Sequence, residues 1–128
     1  MNYLKEIITI IGGVISFLVG GFDGISTFLL ILMLLDIITG FIKAVFEKKL
    51  DPHIMYFGGM KKLSIIIVIY ITVLIDKTFI INFVLRDIVI MYFITNEGIS
   101  FIENISYFID LPDEFTQFFN NINKEGLK

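Results

Sequence analysis

The chain has 128 residues, of which 56% are hydrophobic, and its mean hydropathy is +0.87. That balance excludes an ordinary soluble domain, and a formal charge of −3 with no groove-reading basic element excludes a nucleic-acid partner. The absence of Cys removes disulfides, thiolate chemistry and thiolate metal sites.

In chain order, Lys5 and Glu6 precede an uncharged run from Ile7 to Phe22. No small-residue cleavage site clearly ends it, so it is read as retained rather than as a signal peptide. Asp23-Gly24 signals a turn. A second run spans residues 25–44, interrupted by Asp36 and ending in Lys43. A polar connector with Glu47, Lys48, Lys49, Asp51, Pro52 and His53 follows, then Gly58-Gly59. Lys61-Lys62 opens a third run, residues 63–81, broken by Asp76-Lys77. Asn82, Arg86 and Asp87 mark the next connection, where Arg86-Asp87 and Asp76-Lys77 suggest interfacial ion pairs of modest energy. Residues 88–109 form a fourth run carrying Glu97 and Glu103. Leu111-Pro112 stops it, and the tail, residues 110–128, is polar with a short amphipathic helical pattern.

Only helices or closed barrels satisfy the backbone in lipid, and continuous apolar runs are not the alternating strands of a barrel. The expectation is an all-α integral membrane protein forming one domain over residues 1–128. It is a bundle of three to four short transmembrane helices with a short cytoplasmic C-terminal helix or tail. Several spans fall short of the ~20 residues that cross a bilayer comfortably. The stretch from Lys43 to Lys62 holds five of the ten basic residues, which predicts a cytoplasmic connector. The C-terminus is then cytoplasmic whether the first segment spans the membrane or lies on it.

Charges inside apolar spans are expensive and must face water, a partner charge or the bundle interior. At 100° per residue, Lys5, Thr9, Gly12, Gly13, Ser16, Gly20 and Asp23 fall within an arc of roughly 100°. Gly12, Ser16 and Gly20 follow a small-xxx-small spacing that allows close helix contact; the same face is either a packing seam or a surface wetted when an assembly opens. Asp36, Gly40, Lys43 and Glu47 share a face of the second span, and Gly40 with Ala44 offers another close-contact point. Asp36 is either hydrogen-bonded to a neighbouring helix or lines a pore. In the fourth span Asn96, Glu97, Ser100, Glu103, Asn104 and Tyr107 occupy an arc of about 120°, opposite Ile94, Phe101, Ile102, Ile105 and Ile109. Such a strip must meet water, another polar strip or its own copy. No nucleophile or metal ligand accompanies the two Glu residues, so no catalytic, cofactor or metal site is assigned.

Asp36 with Thr39-Gly40 and Lys48-Lys49, then Gly58-Gly59-Met60-Lys61-Lys62, Asp76, and Asn96-Glu97-Gly98-Ile99-Ser100 with Asn104 form an ordered series. Over about residues 35–112 this series resembles the toxin-secretion and phage-lysis holin family, the small holins of phages of Gram-positive hosts and the holin-like toxin-release proteins of clostridia. The resemblance implies a non-enzymatic protein of the bacterial cell membrane that needs no cofactor. Its partners would be the lipid bilayer and its own copies, assembled as a homo-oligomeric pore. The cargo would be an endolysin or a large protein toxin. On that reading Asp36, Lys43, Asp76, Asn96, Glu97, Ser100, Glu103 and Asn104 are the pore or polar-face candidates, and Gly12, Ser16, Gly20, Gly40 and Ala44 the packing ones. The alternatives are a small four-helix ion or multidrug transporter, and a membrane subunit that anchors a partner through its tail.

Overall fold

A computed structural model of the chain describes residues 2–80 and 82–126, with side chains in the last helix described to residue 122. Five helices follow one another: α1 (Asn2–Val19), α2 (Gly24–Phe46), α3 (Pro52–Phe79), α4 (Val84–Ser106) and α5 (Asp113–Gly126). Among the described residues the only regular secondary structure is helix, and α1, α2 and α3 are long and apolar enough to cross a membrane.

Local chemistry sets each boundary. α1 stops at Gly20 and Gly21, whose φ angles of +82° and +101° suit residues without a Cβ. The Gly21 N–H donates back to Ser16 O at 2.7 Å, the six-to-one bond of a Schellman ending. The helical stripe through Gly12 and Ser16 therefore ends before Gly20. That glycine is a turn residue instead, where a Cβ would press on Val73, Phe83 and Arg86 of the same chain. α2 opens with a reciprocal capping box: Ser26 N donates to Asp23 Oδ1, and Asp23 N donates to Ser26 Oγ, each at 3.0 Å.

α3 departs most from the expected outline. It begins at Pro52, so most of the stretch read as a polar connector is already helix. Asp51 caps it by accepting from His53 N at 2.9 Å, and Pro52 stands at the first helical position, where its missing N–H costs nothing. Gly58-Gly59 lowers helix propensity by about 1 kcal/mol per residue but does not break the helix. α4 likewise starts earlier than residue 88, taking Arg86 and Asp87 into its first turns, and it ends at Ser106 rather than at 109. The end of the third expected span at Ile81 and the last two residues of the tail lie outside the described residues.

α4 is the centre of the bundle. It packs against α2, α3 and α5, while α1 rests on α3. Leu29, Leu32 and Met33 of α2, Ile65, Ile69 and Val73 of α3, and Ile90, Ile94 and Ile102 of α4 form the core. Residues such as Ile31, Leu34, Ile67 and Ile71 point outward and are exposed. Apolar side chains outside and charges inside is the arrangement a bilayer solvent favours.

α5 doubles back along α4. Its Phe119 is buried and sits over Gly98, where any Cβ would overlap the Phe119 ring. Thr95 Oγ1 donates to Phe119 O at 3.0 Å, and the Phe28 ring meets Phe119 edge-on at 6.5 Å. Gly98→Leu should therefore expel α5 from α4. In detergent, chymotrypsin should then clip the C-terminal segment several-fold faster than in the wild type, with α1–α4 left intact.

Candidate functional site

The central polar feature is a knot of three charges from three helices. Lys62 Nζ of α3 donates to Asp36 Oδ2 of α2 at 2.8 Å and to Glu97 Oε2 of α4 at 2.7 Å. The Lys62 and Asp36 side chains are 12% and 13% exposed, and that of Glu97 is 3% exposed. Two neutral donors from α4 complete the coordination of Asp36: Ser100 Oγ reaches its Oδ1 at 2.7 Å, and Asn104 Nδ2 reaches the same oxygen at 2.9 Å. Asn104 Nδ2 also reaches Thr39 Oγ1 at 3.1 Å and Asp36 O at 3.3 Å. Among the described residues no buried side-chain nitrogen or oxygen is left without a partner.

Helical spacing makes this convergence possible. Lys62, Ile65, Ile69, Thr72 and Asp76 alternate in steps of three and four along α3, a single inward-facing row. Glu97, Ser100 and Asn104 likewise share one edge of α4. The sequence strip on α4 is thus split. Its Glu97–Ser100–Asn104 edge turns inward to Asp36, whereas Asn96 and Glu103 are exposed. Lys43 lies outside the knot, with its Nζ 5.9 Å from the centre of the Tyr107 ring. Gly40 allows close approach of α4, since a Cβ there would touch Asn104 Nδ2 at 3.5 Å; Ala44 lies half-buried below it. At Gly12 an added Cβ would meet nothing within 4 Å, so this part of the α1 stripe is unoccupied by the chain's own helices. Lys62 lies outside the expected polar-face residues, because the apolar run begins at residue 63 whereas the helix begins at Pro52; its place on the Ile65–Ile69–Asp76 row is the signal for it.

A second node closes the opposite end of the bundle. Asp76, 2% exposed, accepts from Leu85 N at 3.2 Å and Arg86 N at 2.9 Å. The N-cap residue of α4, Phe83, makes no side-chain cap bond, so a carboxylate from α3 does the capping, a contact worth about 0.5–2 kcal/mol when supplied locally. Arg86, 1% exposed, binds the last carbonyl of α1, Val19 O, at 2.7 Å and Gly21 O of the following turn at 3.1 Å. It also forks onto Asp23 at 2.6 and 3.2 Å and reaches Asp87 at 3.0 Å. Of the two expected pairs, Arg86-Asp87 forms, at 3.0 Å with Asp87 half-exposed, but Arg86 itself is carried inward because α4 starts earlier, and Asp76 binds the first N–H groups of α4 in place of Lys77. Asp76 therefore belongs to a different site from Asp36 and Glu97.

The arrangement pairs charges across helices: two carboxylates, an ammonium, a hydroxyl and a carboxamide hold three helices in register. The chain matches the model of the bacteriophage holin family over residues 13–124. It belongs to that family. Among relatives of this holin-family chain, an uncharacterised 14.9 kDa protein from the nagH 3′ region of Clostridium perfringens is 29% identical over 127 residues, 98% of this chain and 96% of its own length. Protein YqxH of Bacillus subtilis (strain 168) is 33% identical, covering 76% of this chain and 70% of its own. A probable holin of Bacillus phage phi105 is 36% identical over 78 residues, 61% of this chain and 58% of its own. No solved structure matches. Family membership together with three helices able to cross a bilayer makes this holin-family chain a membrane protein.

Two tests follow from the nodes. Removing one partner of a buried ion pair leaves an uncompensated charge, at a cost of about 3–5 kcal/mol. Lys62→Met should therefore lower the unfolding free energy in detergent by that amount, and adding Asp36→Asn and Glu97→Gln to it should restore most of the loss. The Arg86 hydrogen bond, against a smaller opposing effect of burial and with help from Ser26, holds the Asp23 carboxyl well below the usual carboxylate range. A depressed value means that the stabilisation is complete above the ordinary pKa of about 3.9 and fades as pH falls through the lower folded value. Asp23→Asn should melt earlier than the wild type at neutral pH, and the two should converge only in strong acid.

Proposed function

We propose that this chain acts as a holin in the bacterial cytoplasmic membrane, assembling with its own copies into a pore that releases an endolysin or a large protein toxin. The observation that carries the reading is the buried Asp36–Lys62–Glu97 knot inside a bundle whose outer face is apolar. In the packed bundle the Lys62 ammonium is shared by both carboxylates, and Ser100 and Asn104 donate to the second oxygen of Asp36. When α2, α3 and α4 separate, the same side chains need water, which the lumen of an assembly supplies. The open face of α1 at Gly12 and Ser16 gives copies a place for close contact. The whole chain works as one membrane domain. The lysine-rich stretch from 43 to 62 lies on the cytoplasmic side, and α5 turns back from that side along α4.

Glu97→Gln replaces a charged hydrogen bond, worth about 1.5–3 kcal/mol, with a neutral one in the closed bundle. The variant should still insert but release cargo earlier or at a roughly tenfold lower protein density, since 1.4 kcal/mol corresponds to a factor of ten. Vesicles filled with a fluorescent protein provide the measurement: the wild type should leak the protein itself once a threshold density is reached. Steady passage of small solutes with no protein leakage at any density would instead establish a transporter and sink the pore.

A further inference from the structure

α2 and α3 follow one another in sequence, yet α4 lies between them, and this leaves a groove where their ends diverge. The groove holds about 580 Å³ and is bordered by residues 36–44 of α2 and residues 51–62 of α3. Ile37, Phe41 and Ile54 make its walls apolar, and Gly58 and Gly59 face it without side chains. A Cβ added at either glycine meets nothing within 4 Å. Lys49 and Lys61 stand on its border with Asp51, and its inner end reaches Lys62 and Asp36.

We infer that this groove binds an anionic phospholipid, with an acyl chain along Gly58 and Gly59 and the phosphate held by Lys49 and Lys61. Two observations select this occupant. The first is depth. α3 has 28 residues, about 42 Å at 1.5 Å per residue, against a hydrocarbon core of about 30 Å. Its first turns therefore project to headgroup level, where the exposed Tyr56 is also at home. The second is charge. Residues 43–62 carry five lysines against Glu47 and Asp51 in a chain that is acidic overall, and basic pockets between membrane helices suit anionic headgroups.

The test uses the full-length protein in a neutral detergent and native mass spectrometry with added phosphatidylglycerol or phosphatidylcholine, and needs no pore opening. Failure of the release function thus leaves this result unaffected. The wild type should retain phosphatidylglycerol at least tenfold over phosphatidylcholine. Gly58→Leu with Gly59→Leu should abolish retention of both lipids by filling the groove, and Lys49→Gln with Lys61→Gln should remove the preference while leaving helix content and melting unchanged. Equal retention of the two lipids by the wild type would overturn the inference. Undiminished phosphatidylglycerol binding in the lysine variant would overturn it too, as would a glycine variant that alters only crosslinked dimers, which would assign the groove to a second copy.

Discussion

Everything in the bundle is arranged around one ammonium placed between two carboxylates. Lys62 is the only residue through which α2, α3 and α4 are joined by side-chain ion pairs at a single point among the described residues. An isolated charge in such a position costs several kcal/mol, and mutual attraction offsets that cost only when the remaining lone pairs are satisfied. Ser100, Asn104 and Thr39 provide that satisfaction, so the knot is a network whose parts depend on one another. Its geometry also fixes the rotation of each helix. A turn of about 100° by any one of them carries a charge from the interior to the lipid.

The Arg86 junction performs a different task at the other end. Helix termini leave unsatisfied N–H and C=O groups, and four of them meet here: the end of α1, the start of α2, the end of α3 and the start of α4. Asp76 satisfies donors and Arg86 satisfies acceptors. A guanidinium suits this junction better than an ammonium because its fork addresses carbonyls and a carboxylate at once. One end of the bundle is therefore tied by backbone-directed contacts. The groove between α2 and α3 opens toward the other.

Much of this was legible in the residues. The helical class, the apolar runs and the existence of a polar face on α4 with a lone Asp36 on α2 follow from hydropathy and period. Two things were not legible, for physical reasons. Hydropathy registers the apolar part of α3 and is silent about the helix before it, where Asp51-Pro52 supplies a start signal and Gly58-Gly59 reads as a break. That displaced Lys62 from the helix and hid the third partner of the knot. Arg86 and Asp76 read as surface pairs because both stand beside an opposite charge in sequence; in the fold Arg86 keeps Asp87 but adds Asp23 and the end of α1, and Asp76 binds the start of α4. The strip on α4 needed tertiary contacts to be divided into its buried and exposed edges.

The central position of α4 bears on how the protein is made. α4 carries three carboxylates and one arginine, and it is absent from the three helices that are apolar enough to enter a bilayer on composition alone. It is also the last of the four to leave the ribosome. Until it arrives, Asp36 and Lys62 on the preceding helices have only each other as partners in the knot; once it arrives, Glu97, Ser100 and Asn104 join them, and the inward charges of α4 meet α2 and α3 instead of lipid.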